Sequence, residues 1–169
     1  LLDALLHTAG AVDRQGSVAA GNTVGDHSAE ARRRQMTTEP NVAHAEYLGE
    51  RWALIDCPGS VELMQDARTC LLGADVAVVV ADPDPDKAVT LTPLLRYLDA
   101  QRIPHMLFVN KIDTLHGSVQ ELLAALQEMS ERPLVLRQVP LREGEQITGY
   151  VDLVSERAYR YRPGQPSEL

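Results

Sequence analysis

The chain has 169 residues, with Asp+Glu 24 against Lys+Arg 16 for a net charge of -8, and hydrophobic residues make up 44%. That length suffices for one domain with a real core. The acidic balance argues against direct binding of DNA or other bare nucleic-acid phosphate, and no apolar run approaches the roughly 20 residues that cross a bilayer. Two cysteines, Cys57 and Cys70, make no disulfide framework, and no charged-then-apolar leader opens the chain, which together predict a soluble protein in a reducing, cytoplasmic setting. Only two of the basic residues, Lys87 and Lys111, are lysines.

Leu1, Leu2, Leu5, Leu6 and Ala9 recur at helical spacing, and Gly10 stands where a glycine ends a helix. No capping residue precedes Leu1, so the expectation is a chain that opens inside a helix. Residues 11–40 read as one long polar loop carrying Arg32-Arg33-Arg34, functional or disordered. Alternation over Val42–Leu48 predicts a strand. Gly49-Glu50-Arg51 then turns it into a buried strand over Trp52–Asp56, a hairpin.

A helix is predicted from Ser60 to about Leu72, closed by Gly73. The β-branched run Val76–Ala81 reads as a parallel strand covered on both faces. A helix bearing Leu91, Leu94, Leu95 and Leu98 follows, then a strand over His105–Val109 and a helix from Ser118 to Met129. This rhythm predicts βαβ units with a parallel sheet. Past Pro133 the pattern becomes short strands, Val135–Val139, Thr148–Leu153 and Ala158–Tyr161, around Glu143-Gly144-Glu145, and Arg162–Ser167 reads as a turn-rich tail. A boundary is therefore expected near residue 133, giving segments 1–133 and 134–169.

Ligands of open α/β sheets sit at the carboxyl ends of strands. One predicted strand ends in Asp56-Cys57-Pro58-Gly59. An aspartate there can hold a metal ion through water, and the glycine lets its backbone N–H approach a terminal phosphate; a plain Asp-Pro-Gly turn is the other reading. A second strand ends in Asn110-Lys111-Ile112-Asp113. Asp113 can accept two N–H donors along one edge of guanine, Asn110 can contact the purine or brace the next loop, and the Lys111 stem can lie over the base. A solvated turn is the alternative, but one of only two lysines falls here, and Lys and Arg do not interchange at stacked sites. In the loop before the first strand, ending Arg32-Arg33-Arg34-Gln35-Met36-Thr37, Thr37 can ligate Mg²⁺ and sense a terminal phosphate, so that the loop orders with a triphosphate; a solvated basic loop is the other reading, and the loop taken alone favours it.

In this order the three elements resemble the GTP-binding domain of elongation factor G and its relatives among translational GTPases. The resemblance includes the opening helix, Gly16-Ser17-Val18, Thr23-Val24-Gly25-Asp26 and the two strand-end motifs. Ile147-Thr148-Gly149-Tyr150-Val151-Asp152-Leu153-Val154 resembles the start of the subdomain that elongation factor G inserts into its nucleotide domain. The resemblance implies an α/β, P-loop NTPase-like fold: a mostly parallel sheet with flanking helices, plus the beginning of a small antiparallel inserted subdomain. It implies GTP/GDP and Mg²⁺ as ligands, the ribosome as partner, and GTP hydrolysis during elongation or ribosome recycling. Residue by residue, Asn110, Lys111 and Asp113, with Ile112 between them, would form the guanine contacts. Asp56 would hold Mg²⁺ through water and Thr37 would be its switch-loop ligand. Gly59 would meet the γ-phosphate, Cys57, Pro58 and Ser60 would belong to the nucleotide-binding residues beside it, loop 22–40 would be the first switch, and the helix from Ser60 the second.

Three departures stand against the family pattern. No Gly-x-x-x-x-Gly-Lys-Ser/Thr phosphate loop exists in the chain, since Lys87 follows Asp86 and Lys111 follows Asn110; by alignment it would precede Leu1. The last guanine loop is absent too, so these residues alone are expected to bind GTP weakly or not at all. Ser60 occupies the position of the catalytic histidine, and Gln35 replaces a glycine before Met36-Thr37. A hydroxyl is a poor substitute for an imidazole that positions water. Slow or differently triggered hydrolysis is therefore expected, the alternative function being a GTP-binding interaction module with weak or lost turnover. Asp82-Pro83-Asp84-Pro85-Asp86 lacks calcium-loop spacing, the five histidines show no paired zinc spacing, Cys57 reads as an ordinary partly buried thiol, Ser60 has no nucleophile-elbow context, and no Gly-x-Gly-x-x-Gly is present.

Overall fold

The computed structural model describes residues 1–144, 146–162 and 165–168. The chain forms two compact units, Leu1–Ala74 and Asp75–Leu169.

In the first unit, helix α1 (Leu2–Thr8) buries Leu6 and ends as the glycine signal predicts. Gly10 adopts φ +71°, its N–H donates to the His7 carbonyl, and the Ala11 N–H donates to the Leu6 carbonyl. This pair of bonds satisfies carbonyls that a helix end otherwise leaves orphaned. The segment read as one polar loop contains a short helix, α2 (Ala29–Arg34). The Ser28 hydroxyl caps it by accepting from the Ala31 N–H, Glu30 pairs with Arg33 and Arg34, and Gln35 closes it in a left-handed conformation. Lacking an apolar stripe, α2 left no periodicity to read; the cap and the i,i+3/i+4 pairs support it instead.

Strands β1 (Asn41–Tyr47) and β2 (Glu50–Asp56) form the expected antiparallel hairpin, with Asn41 opposite Asp56 and Tyr47 opposite Glu50, but β2 is not the buried strand expected: Trp52 and Ile55 are exposed and none of its residues is buried. The turn lies one position earlier than the sequence suggested. Leu48 and Gly49 both take positive φ, 54° and 81°, as a two-residue primed turn demands. Beyond β2, a 3-10 turn over Val61–Leu63 leads into α3 (Met64–Leu71), and Gly73 donates to the Cys70 carbonyl at its end.

In the second unit, β3 (Ala77–Ala81) and β4 (His105–Val109) pair in parallel, Ala77 beside His105 and Ala81 beside Val109. Parallel pairing among the described residues is confined to these two strands, narrower than the mostly parallel sheet expected. Ala77, Val79 and Ala81 are buried, whereas Val78 and Val80 are about half exposed, at 47% and 46%. Cover on one face only thus replaces the expected cover on both. Pro85–Leu91 forms a 3-10 segment that runs into α4 (Thr92–Ala100), where Leu95 and Leu98 are fully buried. Helix α5 (Val119–Met129) carries a capping box, Ser118 and Glu121 bonding each other's backbone N–H. Ala88, Leu115, Leu122 and Leu126 form the core here, with Leu107, Val109 and Ile112 packed on it.

The expected antiparallel addition is a four-stranded sheet, β5 (Gln138–Glu143), β6 (Gln146–Asp152), β7 (Arg157–Arg162) and β8 (Gln165–Glu168), in that spatial order. Val135 precedes β5 and is 87% exposed, so the first strand begins later than its apolar run implied. The tail read as turns contributes β8, paired to β7 through Arg160–Glu168 and Arg162–Gln165. Backbone pairing there needs no apolar alternation. Glu145 of the predicted turn, and Pro163 and Gly164 of the tail, lie outside the described residues. Gly149 is required by close approach: a Cβ at this position would stand 2.0 Å from the Tyr159 carbonyl oxygen, beside a Tyr150–Tyr159 stack at 5.1 Å. No helix among the described residues is long and apolar enough to cross a membrane.

Candidate functional site

In the first unit, β2 delivers Asp56 at its carboxyl end, and the loop after α2 delivers Thr37 to it. The Thr37 hydroxyl donates to Asp56 Oδ2 at 2.9 Å and lies 3.5 Å from Asp26 Oδ1. Asp26, buried at 7% exposure, is itself fixed: Thr23 Oγ1 donates to its carboxylate at 2.9 Å and accepts from its backbone N–H. Burial raises the Asp56 carboxyl above its ordinary value, with Asp26 and Asp3 adding repulsion and the Thr37 hydrogen bond opposing them.

Asp3 ties the opening helix to this loop. Its carboxylate accepts from the backbone N–H groups of Gly16 at 3.3 Å and Val24 at 3.1 Å. Both glycines nearby are needed for space. A Cβ on Gly16 would lie 2.4 Å from the Asn22 carbonyl oxygen, and one on Gly25 would lie 2.9 Å from Asp56 Oδ2. Asp3 and Asp26 carried no role in the sequence reading. Thr23-x-x-Asp26 is a local side-chain-to-backbone motif that could have marked Asp26, but nothing local could have marked Asp3, whose partners lie 13 and 21 residues away.

Asp56, Thr37 and Asp26 are hard oxygen donors of the kind Mg²⁺ takes, and Gly25 keeps the space beside Asp56 clear; the donor set fits such an ion. Among the described residues no three His, Cys, Asp or Glu side chains converge as a metal-ligating group, so any ion here would also need Thr37 and water. Cys57 and Pro58 follow, Pro58 buried and Gly59 exposed. The Cys57 thiol is pushed up to about 12 by burial, the neighbouring Cys70 and the Asp56 charge. A Cβ on Gly59 would meet nothing within 4 Å, and its φ is not in the left-handed region, so the fold itself does not require glycine there. Ser60 opens the 3-10 turn before α3 without a side-chain cap bond.

In the second unit, Asn110-Lys111-Ile112-Asp113 stands at the carboxyl end of β4. The Asn110 N–H donates to the Ala81 carbonyl at 2.9 Å, tying the motif to the end of β3. Ile112 turns into the core, while Asn110, Lys111 and Asp113 are exposed. Lys111 takes φ +53°, ψ +40° and opens a 3-10 turn over Ile112–Thr114. Beside it, a cleft of about 470 Å³ is lined by Asp82, Asp84, Lys87, Lys111, Thr114 and His116. Both lysines of the chain face this cleft. Lys87 is paired with Asp82 at 2.9 Å, so the acidic Asp-Pro loop serves as a partner for Lys87.

A family model described as the elongation factor Tu GTP binding domain matches residues 1–157. An elongation factor G-like protein of Synechocystis sp. is 42% identical over 99% of this chain and 25% of its own length. A mitochondrial ribosome-releasing factor 2 of Bos taurus is 31% identical over 94% of the chain and 20% of its own length. A crystal structure from Thermus thermophilus superposes with a TM-score of 0.85 at 30% identity, covering 98% of this chain and 25% of that one. The chain thus spans a fifth to a quarter of the length of these relatives. With the match running from the opening helix into the antiparallel sheet, the chain belongs to the elongation factor Tu GTP-binding domain family and is elongation-factor-G-like within it.

Proposed function

We propose that the protein carrying this chain is a translational GTPase that binds GTP and GDP with Mg²⁺, works on the ribosome in elongation or recycling, and resides in the cytoplasm. The observation that carries this reading is the Asn110–Asp113 loop: three polar side chains held outward at a strand end by an anchored Ile112 and a backbone bond from Asn110 to Ala81. Asp113 accepts the N1–H and 2-amino donors of guanine, Asn110 contacts the purine or the neighbouring loop, and the Lys111 stem covers the base face.

Asp56 and Thr37 would hold Mg²⁺, and Asp26 lies beside them as a further acceptor. When bound, the ion neutralises charge on the β- and γ-phosphate oxygens. Gly59, which the fold does not need as glycine, offers its N–H at the terminal phosphate. Residues 1–133 then act as part of the nucleotide domain, and 134–169 begin an inserted subdomain. The printed names of the relatives, an elongation factor G-like protein and a ribosome-releasing factor, support a ribosomal role.

Ser60 favours a second reading, a GTP-binding interaction module with little turnover, because its hydroxyl cannot take a proton from water at neutral pH as an imidazole can. Single-turnover GTP hydrolysis by the intact gene product, with and without ribosomes, decides between the two. Ribosome-stimulated turnover is expected for the GTPase. Tight binding without turnover under both conditions identifies the module.

A further inference from the structure

We propose that Thr114 is a positioning residue for guanine recognition, fixing the Lys111 backbone so that Asp113 faces the base edge. The inference rests on the guanine-binding reading above and adds to it a residue outside the four-residue motif.

Five non-glycine residues adopt positive φ among the described residues: Gln35, Leu48, Arg102, Lys111 and Glu156. Four have ordinary reasons. Gln35 and Arg102 end helices, Leu48 forms the primed hairpin turn, and Glu156 sits in the turn between β6 and β7. Lys111 alone follows a parallel strand, where the chain would otherwise stay extended. A long side chain is disfavoured in the left-handed region, so something must hold it there.

Thr114 supplies that hold. Its backbone N–H donates to the Lys111 carbonyl at 2.8 Å, and its Oγ1 donates to the same oxygen at 2.9 Å. Elsewhere the loop is anchored independently. Asn110 is bonded to β3, Ile112 and Leu115 are packed in the core, and Arg142 donates to the Leu115 carbonyl at 3.0 Å. The Leu115 N–H donates to the Ile112 carbonyl at 3.1 Å, closing the same turn, and the Lys111–Ile112 peptide between these anchors is held through its carbonyl by the two Thr114 bonds, two residues before Asp113. The second bond from the hydroxyl is what a residue without one would lack. Lys111 and Thr114 also line the same cleft, so the hydroxyl works at the edge of the recognition loop and not in the core.

The test uses the intact gene product with GDP, IDP and ADP as probes and the variants Thr114→Val, Thr114→Ala and Thr114→Ser. Inosine lacks the 2-amino group, so a displaced Asp113 costs GDP more than IDP. Thr114→Val and Thr114→Ala should weaken GDP about fivefold, the scale of one partly exposed hydrogen bond, and narrow the GDP-to-IDP ratio, while Thr114→Ser restores both. An unchanged GDP-to-IDP ratio in Thr114→Val and Thr114→Ala, with or without a lower melting temperature, overturns the inference and leaves guanine binding standing. Failure of the unmodified protein to prefer GDP over ADP overturns the guanine reading and this inference together.

Discussion

The magnesium-binding and guanine-binding regions proposed here are built on opposite plans. Around Asp56, carboxylates from positions 3, 26 and 56 are gathered from three separated segments and held partly or wholly out of water by Thr23, Thr37 and backbone N–H groups. Around Asp113, the polar groups come from four consecutive residues and stand exposed. The contrast follows from the ligands. A compact divalent ion is served by several hard oxygens brought close, at the expense of repulsion and desolvation. A planar base edge is read by one correctly aimed carboxylate. Mutations in the first region should therefore register in stability and ion dependence, and those in the second in base preference.

The largest expected effect is on base preference. Asp113→Asn should weaken GDP by about a hundredfold, the loss of two hydrogen bonds to a charged acceptor. It should also favour xanthosine diphosphate, whose edge presents an acceptor, and leave the melting temperature nearly unchanged; competition binding and a thermal melt read these. Next, Asp3→Ala strips partners from the N–H groups of Gly16 and Val24 and should destabilise the first unit by about 2 kcal/mol, measured by urea unfolding.

Asp56→Asn should lower Mg²⁺-supported nucleotide affinity about tenfold, about 1.4 kcal/mol, while raising ligand-free stability near neutral pH. The sign follows from the raised carboxyl. A group whose folded pKa exceeds its ordinary value contributes stability present at low pH and lost as pH rises through the folded pKa. The advantage of the variant should hence shrink on acidification toward the ordinary carboxylate range, in thermal melts across pH. Smaller still, Gly59→Ala should change stability by less than about 0.5 kcal/mol, since the site is open and the backbone ordinary, and yet slow any ribosome-stimulated turnover. The mildest effect concerns Cys57. A thiol pushed up to about 12 stays protonated in mildly alkaline buffer, so iodoacetamide should label it at least about tenfold more slowly than an unperturbed cysteine, and labelling resolved by mass spectrometry reads this.

The same contrast explains what could be read from sequence. The Asn110–Asp113 motif, its strand and the helices α4 and α5 were legible because each is written in contiguous residues: an apolar run, a leucine stripe, a Ser-x-x-Glu cap. Asp56 was marked by its strand end, whereas Thr37, in a loop that alone reads as solvated, was marked only by the family resemblance. Their direct hydrogen bond, and the share that Asp26 and Asp3 have in it, depend on segments far apart in the chain meeting in space. Helix α2 lacked an apolar face, and β8 is held by backbone pairing, so neither left a periodic trace. Thr114 escaped because its effect passes through the backbone of another residue.

Equilibrium binding of GDP and ADP by the intact gene product, each with Mg²⁺ and with chelator, tests the central claim most directly. Strong preference for GDP is expected, abolished by Asp113→Asn and independent of Asp56, together with a Mg²⁺ enhancement that Asp56→Asn removes. Equal affinity for the two nucleotides, or an Mg²⁺ enhancement unchanged by Asp56→Asn, would contradict it.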